Sequence, residues 1–377
     1  METEYEKPLV LVVDDDPTNL RILVSKLNRE YRLGVAKSGT KALEYMGKQI
    51  PDLVLLDVMM PDMDGYETIK IMRERGYVLP VVALTAHAMQ SDKQRCLDAG
   101  MDAYLSKPFK QALLFDTIHS LLPEYYRVPE AQAESPARPS VPDAESWAFL
   151  PPCFSLETVI QTGLSPQQYP SILQSFARNH AQDAALFRHA VRTHDWESLR
   201  ERAHALKGAS ANLGALHLRD MARTLELEAQ SQLDKGYPNA ALSTLQGRPL
   251  AALLPELEEA LGEVLEAAAK LCPSDKETKP ADGPSAIASK PKLDIAKLGT
   301  YYNDLVEALL QAAPGRIRIA LGSLLVICNA DEYPLLHTLK MHVDNYDYEA
   351  ALTVLERIRP SLFSSSAPST EPSDAAQ

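Results

Sequence analysis

The sequence predicts an α/β fold, a doubly wound five-stranded parallel sheet, followed by an all-α four-helix bundle and a small C-terminal helical segment. Short apolar runs alternate with amphipathic stretches through the first third of the chain. The part that follows carries apolar residues at helical spacing and no strand signal. Two polar, proline-rich segments separate the parts.

In the first part LVLVV (9–13) reads as a buried strand and 17–30 as a helix, then LGVA (33–36) as a strand and 39–48 as a helix. DLVLLD (52–57), VVALTA (81–86) and AYLS (103–106) read as strands, with helices at 65–75, 90–99 and 110–121. Strands alternating with helices imply a parallel sheet covered on both faces, with a ligand crevice at the carboxyl ends of the strands. The segments 127–146 and 273–292 are rich in Pro, Ala, Ser and charge and lack large apolar side chains, as does the tail 364–377. Such segments bury too little surface to order themselves. The expected folded parts are 5–126, 147–272 and 293–363. In the second, 166–194, 195–214, 216–236 and 249–271 show helical periodicity, with Gly214 and Gly236 where helices would stop; short turns make the four an antiparallel bundle. The third reads helical but shorter.

The 377 residues carry a formal net charge of −13 and no basic run. Nucleic-acid binding draws on clustered Lys and Arg, so direct contact with nucleic acid is not expected. Cys96, Cys153, Cys272 and Cys328 are scattered, which is neither a disulfide framework nor a zinc site. The N-terminal METEYEKP is polar, and no apolar run approaches the ~20 residues that span a bilayer. The expectation is a cytoplasmic protein with reduced thiols and no membrane contact.

The polar residues gather at the strand ends: Asp14, Asp15 and Asp16 after the first, Asp57 ending the third, Thr85 ending the fourth, and Lys107 and Pro108 after the fifth. Carboxylates converging on one crevice repel each other, and a hard divalent cation such as Mg²⁺ resolves this. Lysine and a hydroxyl could then grip the oxygens of a phosphoryl group carried by Asp57 as nucleophile.

These residues, with the run DVMMPDMDG from Asp57, Thr85-Ala86 and Lys107-Pro108-Phe109, resemble the response-regulator receiver domain over 8–122. The resemblance implies a flavodoxin-like fold, Asp57 as phosphoacceptor, and Mg²⁺ held by Asp14, Asp15, Asp57 and the backbone carbonyl of Met59. It implies phosphate contacts from Thr85 and Lys107, and Tyr104 as the aromatic that turns inward when Thr85 moves. Met59 and His87 occupy positions that govern water access in receivers. Met59 cannot orient water by hydrogen bonding, so slow self-hydrolysis is expected.

In the second part the stretch AHALKGASANLGA (203–215) places His204, Lys207 and Gly208 on one helix face at i, i+3 and i+4. Neutral imidazole is nucleophilic and holds a phosphoryl group as a phosphoramidate. Lys207 supplies compensating charge, and Gly208 lets a partner loop come close despite costing about 1 kcal/mol in a helix. This resembles the histidine phosphotransfer (HPt) domain over about 153–271. His180, His189, His194 and His217 have no such setting and read as ordinary histidines. No Gly-rich ATP-lid motif is visible, so the chain is expected to pass phosphate on without making it from ATP.

His337-Thr338-Leu339-Lys340 imitates a second site, but Met341 stands where glycine is needed. The segment 347–358 resembles 195–206 and brings Glu356 to the place of His204, so the third part reads either as a degenerate HPt-like bundle or as a helical hairpin that binds protein.

The functional expectation is a phosphorelay intermediate, not an ATP-using enzyme. A separate sensor or hybrid histidine kinase loads Asp57, and His204 carries phosphate to or from receiver domains, with a downstream response regulator as the further partner. The first linker and its flanks reach about 28 Å as a flexible coil, so transfer within one molecule is geometrically allowed. The alternatives are a phosphorylation-controlled interaction switch working through Thr85 and Tyr104, and a phosphate sink. A metal-dependent hydrolase fits Lys107 and the strand-end order less well.

Overall fold

The structure, a computed structural model, describes residues 7–85, 90–122, 144–235, 244–245, 248–271, 295–328 and 335–363. It divides into two compact units, Met1–Asp282 and Gly283–Gln377.

The first unit opens with β1 (Leu9–Val13), α1 (Pro17–Leu27), β2 (Arg32–Ala36), α2 (Gly39–Lys48) and β3 (Leu53–Asp57). α3 (Gly65–Glu74), β4 (Val81–Thr85), α4 (Gln90–Asp98), β5 (Ala103–Ser106) and α5 (Gln111–Leu121) follow. The five strands pair in parallel in the order β2-β1-β3-β4-β5. β1, β3 and β4 are buried along their whole length, which is why they read as unbroken apolar runs rather than alternating ones. From β1 the chain crosses to β2 on one side, and from β3 to β4 on the other. The loops after β1 and β3 therefore part, and the crevice of a doubly wound sheet opens between them. Asp16 caps α1, its carboxylate accepting from the amides of Thr18 at 2.6 Å and Asn19 at 3.0 Å, with Pro17 at the first helical turn.

The same unit continues with a 3₁₀ turn at Ala144–Trp147 and helices α6 (Leu156–Gln161), α7 (Tyr169–His180), α8 (Asp183–Thr193), α9 (Trp196–Leu213), α10 (Leu216–Lys235) and α11 (Leu250–Leu271). The bundle is helical as expected, with three differences, the first being α6, which lies ahead of the four expected helices. The stretch 166–194, read as one helix, is two, α7 and α8. No Gly or Pro marks the break, which falls where the buried side chains of His180 and Asp183 bond to each other at 2.7 Å. A two-stranded antiparallel pair also appears, β6 (Thr244–Leu245) and β7 (Arg248–Pro249), where no strand was expected. Two residues per strand are too few to show a period.

Phe176, Phe187, Tyr169, Leu199, Leu206 and Leu225 are buried at the centre of the bundle. Each such side chain contributes about 1.5–3 kcal/mol by leaving water, and the Tyr169 hydroxyl donates to the Leu213 carbonyl at 2.8 Å. Gly214 ends α9 with φ of 77°. Glycine takes that conformation without strain, and a Cβ there would also sit 2.9 Å from the Ser155 carbonyl oxygen.

The two parts of this unit pack directly on each other. Ile22 of α1 is wholly buried in the same apolar cluster as Phe176 and Phe187. Asn212 Nδ2 donates to Asn19 Oδ1 at 2.8 Å, and Asn179 Nδ2 to Thr18 Oγ1 at 3.4 Å. Sequence reading treats the parts as bodies joined only by a linker; the face of α1 that they share carries no sequence label.

The second unit holds α12 (Ile295–Leu310), α13 (Pro314–Ile327), α14 (Leu335–Asp344) and α15 (Tyr348–Phe363), with Leu298, Leu305, Leu324, Leu336 and Leu355 in its own core. His337 lies exposed on α14 and Glu356 exposed on α15. Residues 127–143 of the first expected linker, all of 273–292, the tail 364–377, Gly236, His87 and Cys272 lie outside the described residues. Cys96, Cys153 and Cys328 are free thiols. Among the described residues no helix is long and apolar enough to cross a membrane.

Candidate functional site

At the carboxyl ends of β1 and β3, Asp14, Asp15 and Asp57 each offer a carboxylate oxygen within 4.8 Å of the others. Lys107, just past β5, reaches into the same crevice. Its Nζ lies 2.7 Å from Asp14 and 2.6 Å from Asp57, with all three side chains buried. Burial pushes the Asp14 carboxyl up to about 7 against the pull of Lys107, and burial together with the charges of Asp14 and Asp57 pushes Asp15 well up too. Burial alone would lower Lys107, but the two carboxylates beside it hold its ammonium well above the usual lysine range. One cation shared among three carboxylates leaves negative charge uncompensated. An oxygen-only donor set of this kind suits a hard divalent ion.

The backbone around Asp57 is shaped by Gly65, where a Cβ would lie 2.5 Å from the Asp57 carbonyl oxygen. No side chain fits, so the Asp-Gly pair that opens α3 is a requirement of the site. The Met59 amide points at Asp57 Oδ1 from 3.5 Å. Thr85 is buried at the end of β4, and its carbonyl accepts from the Lys107 amide at 2.7 Å. Tyr104 on β5 is half-buried, with the Lys93 ammonium 5.2 Å from its ring centre.

His204 sits midway along α9, buried, with Nδ1 2.6 Å from Glu226 Oε1 of α10. The other oxygen of Glu226 takes Lys207 Nζ at 2.5 Å. Burial holds the His204 imidazole below its ordinary value, so the neutral ring is favoured. Burial works against a charged Glu226, but its bonds with His204 and Lys207 bring it down to about 2. Glu226 was not singled out from the sequence. Its signal was there: it falls beside Leu218, Ala222, Leu225 and Ala229, a charge at the edge of an otherwise apolar stripe.

The two candidate sites face each other. One cleft of about 450 Å³ is lined by Asp15 and Met59 from the loops after β1 and β3 and by Arg200 and His204 from α9. Arg200 Nη1 approaches Met59 Sδ at 4.0 Å. A Cβ on Gly208 would lie 3.6 Å from Lys107 Cδ and 3.7 Å from Asn19 Nδ2. Asn19 in turn donates to Asp14 Oδ1 at 3.1 Å, so the docked helix is bonded through one side chain to the acidic crevice. The structure thus brings together Asp14, Asp15, Asp57, Met59, Lys107, His204, Lys207 and Gly208, while Thr85 and Tyr104 lie on the neighbouring strands.

Comparison with known proteins finds two domain families in this chain. Residues 10–119 match the response regulator receiver domain, and residues 171–267 match the Hpt domain. The chain therefore carries a receiver domain followed by an HPt domain, the two kinds of domain between which two-component phosphorelays pass phosphate. Over 111 residues it is 45% identical to the sensor histidine kinase RcsC of Salmonella typhimurium, a match spanning 29% of this chain and 12% of that protein. It is 38% identical over 120 residues to the signal transduction histidine-protein kinase BarA of Escherichia coli, spanning 31% of this chain and 12% of BarA. It is 37% identical over 115 residues to the response regulator PleD of Caulobacter vibrioides, spanning 30% and 25%. The chain covers a quarter or less of the length of these relatives.

Proposed function

We propose that this protein relays a phosphoryl group within one molecule, from Asp57 to His204. The observation that supports this reading is the cleft with Asp15 and Met59, the neighbours of Asp14 and Asp57, on one wall and His204 on the other. A separate sensor or hybrid histidine kinase supplies the phosphoryl group, and a downstream response regulator takes it from His204, in the cytoplasm. In the transfer step Nε2 of His204 attacks phosphorus, the N–P bond forms as the bond to the Asp57 oxygen breaks, and Asp57 leaves as a carboxylate. Nδ1 is engaged by Glu226, so Nε2 is the attacking nitrogen. Glu226 accepts the Nδ1 proton and balances the positive charge that develops on the ring. Lys107, held by Asp14 and Asp57, is placed to meet the phosphoryl oxygens, and Thr85 offers its hydroxyl to them. Asp14, Asp15, Asp57 and the Met59 carbonyl are the groups that would hold Mg²⁺, which when bound neutralises phosphoryl charge. Met59, covered by Arg200, gives water no hydrogen-bonding guide to the acyl phosphate, which favours transfer over hydrolysis.

The test is labelling of the wild-type chain by acetyl phosphate with Mg²⁺, reading acyl phosphate by its loss in base and phosphohistidine by its loss in acid. Both species are expected, the first preceding the second. Label that stays on Asp57 and never reaches His204 refutes the internal relay and favours a switch or a sink. Glu226→Gln keeps the shape of the site but removes the charge beside Nδ1. Transfer to His204 is expected to slow by about a hundredfold while loading of Asp57 is unchanged; an unaltered transfer rate in a single-turnover assay would show that Glu226 plays no part.

A further inference from the structure

His180, which the sequence presents as an ordinary histidine, is buried where the receiver meets the HPt domain. Its Nε2 lies 3.2 Å from Asp16 Oδ2 on the receiver side, and its Nδ1 lies 2.7 Å from Asp183 Oδ2 at the start of α8. All three side chains are nearly removed from water, with residue exposures of 4% for His180, 5% for Asp16 and 4% for Asp183. Carboxylates only accept, so both ring nitrogens donate and the ring is an imidazolium. Burial alone would discharge it, but hydrogen bonds and charge from Asp16 and Asp183 hold it up to about 9. Arg202 is the other cation near Asp183, its Nη1 3.8 Å from Oδ1. The other carboxylate oxygen of Asp16 is committed to the amides of Thr18 and Asn19.

A buried charge contributed by one domain demands its complement from the other. An HPt domain without a cation at this place would leave Asp16 buried and unpaired, and such a mismatch costs far more than the matched pair gains. The bridge also lies directly beside the acidic crevice, because Asp16 follows Asp14 and Asp15. While it is closed, α9 lines the cleft opposite Asp15 and Met59. We propose that the Asp16–His180–Asp183 bridge is a selectivity lock that commits this receiver to its own HPt domain and shuts out the HPt domain of another molecule. The proposal rests on the reading of Asp57 and His204 as the two phosphoacceptors.

The test uses full-length chains in pairs, a donor carrying His204→Gln and labelled on Asp57, and an acceptor carrying Asp57→Asn with His204 intact. In the first pair both locks are intact. In the second the donor also carries His180→Gln and the acceptor Asp16→Asn. Each internal lock is then broken, but the donor's Asp16 can still meet the acceptor's His180. In the third the same two substitutions are exchanged, so both locks are broken and no bridge can form between molecules. Asn still caps α1 and Gln still hydrogen-bonds beside Asp183, and a cooperative thermal transition for each chain establishes folding. The second pair is expected to transfer label at least about tenfold faster than the first or the third, as a truncated buried charge pair changes dissociation. Equal rates in the second and third pairs, or a first pair as fast as the second, overturn the lock while leaving the relay standing. A wild-type chain that never labels His204 fails the relay reading itself.

Discussion

Replacing Asp57 by Asn is expected to abolish label on both Asp57 and His204 when the full chain is treated with acetyl phosphate and Mg²⁺. The amide has no nucleophilic oxygen anion, so no acyl phosphate forms, and His204 has nothing to draw on. The fold should survive the change. Asp57 is one of three crowded carboxylates, its charge helps push Asp14 and Asp15 up, and Lys107 keeps its bond to Asp14 at 2.7 Å. Phosphohistidine in the Asp57→Asn chain, measured by its stability in base and loss in acid, would mean that His204 is loaded by a route that bypasses the receiver.

The second large effect belongs to Gly208. A Cβ at this position would meet Lys107 Cδ at 3.6 Å and Asn19 Nδ2 at 3.7 Å, both ordinary contacts. Gly208→Ala therefore fits, favours the helix by about 1 kcal/mol, and should relay at close to the wild-type rate. Gly208→Leu adds four carbons, three of them beyond the Cβ, where Lys107 and Asn19 already stand, and the two domains must separate. Displacement of about 1 Å between reacting groups costs on the order of a hundredfold. Transfer to His204 is expected to fall by at least that much while Asp57 still loads from acetyl phosphate. A Gly208→Leu chain that relays normally would show that the docked face is not the one used for transfer.

Much of this was legible in the sequence because the receiver chemistry is local. Asp14, Asp57 and Lys107 each end a strand or lie just beyond one, so the order of the strands brings them to one crevice. His204, Lys207 and Gly208 fall on one face by helical spacing. What escaped depends on contacts between distant segments. Glu226 reaches His204 from the next helix, 22 residues on, and in the acidic run LELE it looks like part of a solvated face. His180 has its nearer partner at i+3 and its decisive one, Asp16, 164 residues back. The break between α7 and α8 carries no Gly or Pro, so periodicity ran straight through it. The docking of α1 on α7 and α9 uses Thr18, Asn19 and Ile22, residues that would serve equally well on an isolated receiver.

The central claim is that Asp57 and His204 of the same molecule exchange the phosphoryl group. The most direct measurement is the rate constant for appearance of phosphohistidine after rapid removal of acetyl phosphate, followed over a hundredfold range of protein concentration. Transfer within the docked unit predicts a first-order constant that does not change with concentration. A constant that rises in proportion to concentration would mean that each His204 is served by another molecule's Asp57, and would contradict the account.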